Sequence, residues 1–316
     1  MKVSDAILQS VETGSKNAVV DYLNLNTLRN NTQYQEDIFR PYLNRIQSGF
    51  YDMVVALRDD AVELVMKNID VMPKKMPIIA CGFRKSSDDF LRQYPNLTFF
   101  FLDFHIPDNI ELGLKIFPDT RTIAVITDSY PSGLYAHNRA LMLRNLYPQC
   151  RFIFINSSRY STNKMLETVG NLQEKSLVIF ASWRGYAKDG YSSQEAVVRE
   201  LAKKVKRPFL TSSEELINNG ALGGFMFSAD LNGRRIASLA KQLLEKKTPK
   251  PSAAIHDSGK VFIDMAVWNK ANIKHSLLPA NAEFLNKMPS IWEAYRTELT
   301  VLLCAFGFII ILLITL

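Results

Sequence analysis

The residues best suited to chemistry in this chain stand just after short apolar runs. Asp59 and Asp60 follow VVAL, Gly82 and Phe83 follow IIAC, and Asp128, Ser129, Tyr130 and Ser132 follow IAVIT. Ser182, Trp183 and Arg184 come after VIFA, and Ser212 and Glu214 after PFLT. These types suit recognition of a small solute. A seryl segment that opens a helix offers free N–H groups to an anionic group. A Trp beside an Arg can stack on a planar molecule and pair with its carboxylate. Each has a structural alternative. Asp59 or Asp60 can cap a helix, Gly82 can be a plain turn, Tyr130 and Trp183 can pack, and Ser213 can cap the helix EELINN.

Bond-making chemistry finds no constellation. No GxSxG elbow is present, and the histidines, at 105, 137, 256 and 275, show neither HExxH nor paired spacing. Gly220, Gly223 and Gly224 form neither GxGxxG nor a P-loop and read as a hinge turn. Asp59–Asp60 and Asp88–Asp89 are consecutive, so on a helix the side chains of each pair do not face one another. No catalytic residue, metal site or cofactor is expected.

The candidate residues need elements to position them. Strands are expected at Ala18–Leu23, Met53–Leu57, Ile78–Cys81, Phe99–Leu102, Ile123–Thr127, Phe152–Ile155, Leu177–Ala181 and Val261–Ile263, several of them continuous apolar runs such as VVAL, IAVI and VIF. Such runs suit parallel strands covered on both faces. Between them Ile38, Phe39, Tyr42, Leu43 and Ile46 recur at helical spacing, as do Ala61, Val62, Val65 and Ile69. Leu134–Leu146, Ala196–Val205 and Ser4–Val11 also read as helices. Alternating strands and helices with short links imply an α/β fold with parallel sheets and right-handed crossovers.

Strand count and length favour two doubly wound lobes over one sheet. Hinge segments are expected at Phe104–Ile110, near Gly220–Gly224 and at Thr248–Ser252. Lobe 1 then spans 1–107 with a return segment at about 222–250, and lobe 2 spans 108–221 with about 251–285. A juxtamembrane segment covers 286–298. Between two such lobes lies a cleft lined by loops at strand carboxyl ends, where open α/β sheets bind ligands.

From Leu299 to Leu316 run 18 residues without a charge, preceded by Trp292, Tyr295 and Arg296. At about 1.5 Å per residue such a helix reaches roughly 27 Å, close to a bilayer's hydrocarbon thickness. Residues 299–316 therefore read as a transmembrane helix with interfacial anchors. The net charge of +7 comes from scattered Lys and Arg without aromatic interleaving, which argues against nucleic acid. Cys81, Cys150 and Cys304 have no CxxC spacing, and Cys81 and Cys150 read as buried free thiols.

Several segments together resemble a family. FYDMVVALRDDAVELV, MPIIACGF and FPDTRTIAVITDSYPSG are similar, in that order, to stretches of ABC-transporter substrate-binding-protein-like sensor domains. So are NNGALGGFMFSADLNGRRIASLAKQLLEKKTP and the tail from VFIDMAVWNK to SIWEAYR, and the likeness covers about residues 5–298. The resemblance implies a periplasmic-binding-protein fold of the three-crossover type and an extracytoplasmic, membrane-anchored, non-enzymatic sensing module of a bacterial signalling receptor. A kinase or cyclase output domain would then follow. The implied partners are an unknown small-molecule ligand, the lipid bilayer, and a second copy or transporter subunits. The family begins with an apolar strand before its first helix, whereas here a helix starts almost at Met1, so that first strand is expected to be missing. Two other readings stand beside the sensor: a membrane-tethered substrate-binding protein of a transporter, and an α/β enzyme anchored by its tail.

Overall fold

The computed structural model describes residues 3–11, 18–23, 25, 31–83, 88–184, 193–245, 255–287, 295–301, 305, 309 and 310. Its strands are β1 (Val54–Leu57), β2 (Ile78–Gly82), β3 (Leu97–Phe101), β4 (Thr122–Thr127), β5 (Arg151–Asn156), β6 (Ser176–Phe180), β7 (Leu210–Thr211), β8 (Gly223–Phe227), β9 (Ile255–His256), β10 (Gly259–Asp264) and β11 (Glu283–Leu285). The helices are α1 (Val3–Val11), α2 (Thr32–Gln47), α3 (Asp59–Lys67), α4 (Asp88–Gln93), α5 (Ile106–Ile116), α6 (Pro131–Leu143), α7 (Thr162–Gly170), α8 (Gln194–Lys204), α9 (Ala229–Leu244) and α10 (Met265–Lys270).

The strands form two sheets, a four-stranded one in the order β1-β2-β3-β9 and a seven-stranded one in the order β11-β10-β8-β7-β6-β4-β5. All pairings are parallel except that of β8 with β10. The continuous apolar runs explain this arrangement: β2, β4 and β6 are buried or nearly so throughout, because helices cover both faces. In the smaller lobe one core lies under α2 and α3, with Phe39, Ile46, Val62 and Val65. The other lies under α1 and α9, with Ile7, Ile236 and Ala240. The larger lobe has matching cores around Ile110, Ile123 and Trp268, and around Val178, Phe180 and Trp183. Side-chain caps set several helix starts: Asn31, Ser161, Ser193, Ser228 and Asp264 accept from backbone N–H groups of α2, α7, α8, α9 and α10.

The chain passes between the lobes three times: from β3 to α5, from β8 to α9, and from β9 to β10. The crossings are tied together. His105 Nε2 lies 3.1 Å from Asp257 Oδ2, joining the first to the third. Asn109 donates to Phe225 O at 2.7 Å and accepts from Phe225 N at 2.8 Å, joining α5 to β8. Asn232 accepts from Ser258 N and donates to Ser258 O, joining α9 to the third crossing.

The structure corrects several expectations. Ala18–Leu23 is not a strand: it has no ladder partner among the described residues, and Val19 and Tyr22 stand largely exposed. The second crossing is at Phe227–Ser228, not at Gly220–Gly224. Gly223 and Gly224 are the first residues of β8, at φ 133 and 156. A Cβ on Gly223 would stand 2.0 Å from Phe262 O of the neighbouring strand, so the glycines let strands approach closely and do not make a hinge turn. β8 accordingly belongs to the larger lobe, and β9 to the smaller one. The expected hinge at Thr248–Ser252 lies outside the described residues. So does most of the apolar run 299–316, and among the described residues no helix is long and apolar enough to cross a membrane. Cys81 and Cys150 are buried free thiols, with burial pushing both thiol pKa values upward.

Candidate ligand-binding cleft

Strand carboxyl ends of both lobes converge on one cavity. It measures about 240 Å³ including its open mouth and is lined by Arg58, Asp59, Asp60 and Phe83 from the smaller lobe and Pro131, Ser132 and Arg184 from the larger. A second cavity, of about 200 Å³, is lined by Ser176, the first residue of β6, and by Val169, Leu172 and Arg207. Its position at a strand's amino end is where open α/β sheets do not bind ligands.

On the larger lobe the central group is Asp128, which is fully buried after β4. A buried carboxylate must be paired and hydrogen-bonded. Asp128 Oδ2 accepts from Arg184 Nε at 2.8 Å and Arg184 N at 3.2 Å, and Oδ1 accepts from Tyr130 N at 3.0 Å. Arg184 Nη2 also donates to Ser132 Oγ at 2.6 Å, and the guanidinium stacks 4.2 Å over the Tyr130 ring. Gly133 makes this possible, since a Cβ there would stand 2.1 Å from Asp128 Oδ1. The start of α6 is thus packed around an ion pair, with one edge of Arg184 at the cavity wall.

On the smaller lobe Asp59 is the first residue of α3 and does not act as its N-cap; that position is Arg58, whose side chain caps nothing. Asp59 Oδ1 instead accepts from Phe83 N at 2.8 Å, bracing the loop after β2 against the start of α3. Gly82 closes β2, and a Cβ on it would meet that same carboxylate oxygen at 2.8 Å. Phe83 stacks on Phe104 with centroids 4.4 Å apart.

Of the candidate residues, the structure brings Asp59, Asp60, Phe83, Ser132 and Arg184 to the cavity, with Asp128 and Tyr130 directly behind Arg184. Ser129 N donates to Ser157 Oγ, and Ser182 is buried behind the wall. Trp183 is a correction: it is fully buried in the core with its indole N–H on Thr162 Oγ1 at 3.1 Å, which leaves no face for a ligand. Ser212 is buried and accepts from Asn109 of α5 at 3.5 Å, and Glu214 accepts from Ala229 N at 3.4 Å, beside the second crossing. Sequence reasoning missed Arg58, although it directly follows VVAL, and Gly133, two residues beyond Pro131.

Two hinged α/β lobes with a polar cleft at strand carboxyl ends define the class of solute-binding proteins with a periplasmic-binding-protein fold. The chain belongs to the ABC transporter substrate binding protein family, which matches residues 5–278. Solved structures are similar at low identity. A ligand-free, open substrate-binding protein with adhesive properties from Clostridium difficile has a TM-score of 0.61 at 14% identity, covering 90% of this chain and 94% of that one. An ABC domain in complex with L-Trp from Streptococcus pneumonia gives 0.61 at 15%, covering 90% and 95%. A periplasmic solute-binding protein of an ABC transporter from Actinobacillus succinogenes, with bound D-allose, gives 0.53 at 11%, covering 85% and 93%. No curated protein matches this chain.

Proposed function

We propose that this chain binds a small solute between its lobes and uses lobe closure to report that solute to a membrane partner, as a sensing module. The observation that carries the reading is the cavity shared by Arg58, Asp59, Asp60 and Phe83 on one lobe and Pro131, Ser132 and Arg184 on the other. A solute touching both walls binds the closed state better than the open one, and that differential affinity is what drives closure. Residues 299–316 support membrane coupling by composition alone. Membership of the substrate-binding family supports a second reading, delivery of the solute to a transporter, equally well.

A thermal-shift screen of neutral sugars, amino acids and organic acids tests the binding step. One class is expected to raise the unfolding temperature, by RT ln(1 + [L]/Kd) in stability. If no solute of any class does so, the binding reading fails. Ligand-dependent co-purification with permease subunits from membranes would favour delivery over sensing.

A further inference from the structure

What the cleft would hold follows from Arg58, given the binding reading above. This residue lies at φ 76, ψ 155, a region that essentially only glycine enters without cost. The turn is held from both sides: Arg58 N donates to Cys81 O at 2.8 Å, and Val62 N donates to Arg58 O at 3.0 Å. Glycine would make the same turn unstrained, so the fold alone does not call for an arginine. The residue lines the interlobe cavity, and its side chain has no hydrogen bond or ion pair among the described residues. On the opposite wall Arg184 is fixed by Asp128 and Ser132 through Nε and Nη2, which leaves Nη1 uncommitted among the described residues.

Asp128 and Asp59 already hold donors. Asp128 is neutralised by Arg184 at 2.8 Å. Asp59 holds Phe83 N–H, and both Asp59 and Asp60 lie in the first turn of α3, where the helix dipole offsets their charge. The cavity is therefore lined by an arginine from each lobe, Arg58 and Arg184, the latter with only Nη1 uncommitted among the described residues, together with Phe83. An anion between the two arginines would be held from both lobes at once, in a site where such contacts are strengthened by exclusion of water.

We infer that the cleft takes a small organic acid, its carboxylate gripped between Arg58 and Arg184, with Arg58 as the specificity-determining residue. The planar fork of a guanidinium matches a carboxylate, and Phe83 suits a carbon skeleton better than a bare inorganic anion.

The test is calorimetric titration and thermal unfolding of the full chain with 3-phenylpropionate, succinate, inorganic phosphate, D-glucose and choline. At least one of the two acids is expected to bind. Arg58→Gly should weaken that binding at least tenfold while leaving the ligand-free unfolding temperature equal or higher, because the strained turn relaxes. Arg58→Lys should keep the charge but lose part of the affinity. Acid binding undiminished in Arg58→Gly would overturn the inference. So would phosphate matching the acids, or glucose or choline binding where the acids do not; in the glucose and choline cases the cleft reading would survive. If none of the five binds, this inference falls, while the binding reading stands or falls with the wider solute screen.

Discussion

Asp128 carries the energetics of the larger lobe's wall. It is fully buried, and its charge is met by Arg184, whose side chain is itself only 17% exposed. Removing one partner of a buried pair leaves the other charge desolvated, a loss of about 3–5 kcal/mol, whereas replacing both can be nearly neutral. Arg184→Met is therefore expected to lower unfolding stability by about 3 kcal/mol or more. The double replacement Asp128→Leu with Arg184→Met should recover much of that loss. Urea unfolding of the three proteins measures it, and additive losses in the double variant would show that the pair is not coupled. At this scale the sequence was legible where chemistry and position coincided. Asp128 and Arg184 stand after apolar runs and do meet. Trp183 follows the same rule but turns into the core, because which face a residue takes past a strand's end depends on packing that one sequence does not print.

Elements were legible wherever burial on both faces leaves an unbroken apolar run, as in β2, β4 and β6. Short or glycine-bearing strands were not: β7 has two residues, and β8 opens with the two glycines that read as a turn. Their role shows only against the neighbours. Gly223 sits at φ 133 with Phe262 O directly behind it, and Gly224 at φ 156 with Thr211 O 2.2 Å from where a Cβ would be. Gly223→Ala is thus expected to cost at least about 2 kcal/mol, since both the backbone conformation and the space oppose a side chain. Ser228→Ala, which removes only the cap on α9, should cost about 1 kcal/mol. Chemical denaturation of the two variants checks the ranking. An alanine at 223 tolerated better than one at 228 would mean that β8 and β10 are not packed as described.

The whole molecule was legible as an α/β fold of two lobes, but the place of the second crossing and the residues that lock the crossings together were not, because they meet only in the fold. His105 is the titratable group among them. Its Nε2 lies 3.1 Å from Asp257 Oδ2 and its Nδ1 3.3 Å from Asp108 Oδ2, so both ring nitrogens can donate only when the imidazole is protonated. Asp103, itself 3.5 Å from Arg139, accepts from His105 N, and the ring packs on Phe225. Burial alone would lower the His105 pKa, but the bonds to Asp108 and Asp257 and the charges of Asp257 and Asp103 outweigh it and raise the value to about 9. In the unfolded chain a histidine titrates near 6.5. The folded state therefore holds this proton more tightly. Its stabilisation is complete below about pH 6.5 and is lost as the pH rises through 9. At about 1.4 kcal/mol per pH unit the span sets an upper limit of roughly 3–4 kcal/mol, reduced because Asp108 is half exposed to solvent. Unfolding stability measured at pH 6 and pH 9.5 should fall more steeply for the parent than for His105→Gln, which can bond but cannot titrate. Parallel pH profiles would show that the clamp does not form. Because Asp257 lies on the third crossing and His105 on the first, the same loss of charge should free the lobes to separate. Small-angle scattering at pH 9.5 is then expected to report a broader range of shapes than at pH 6.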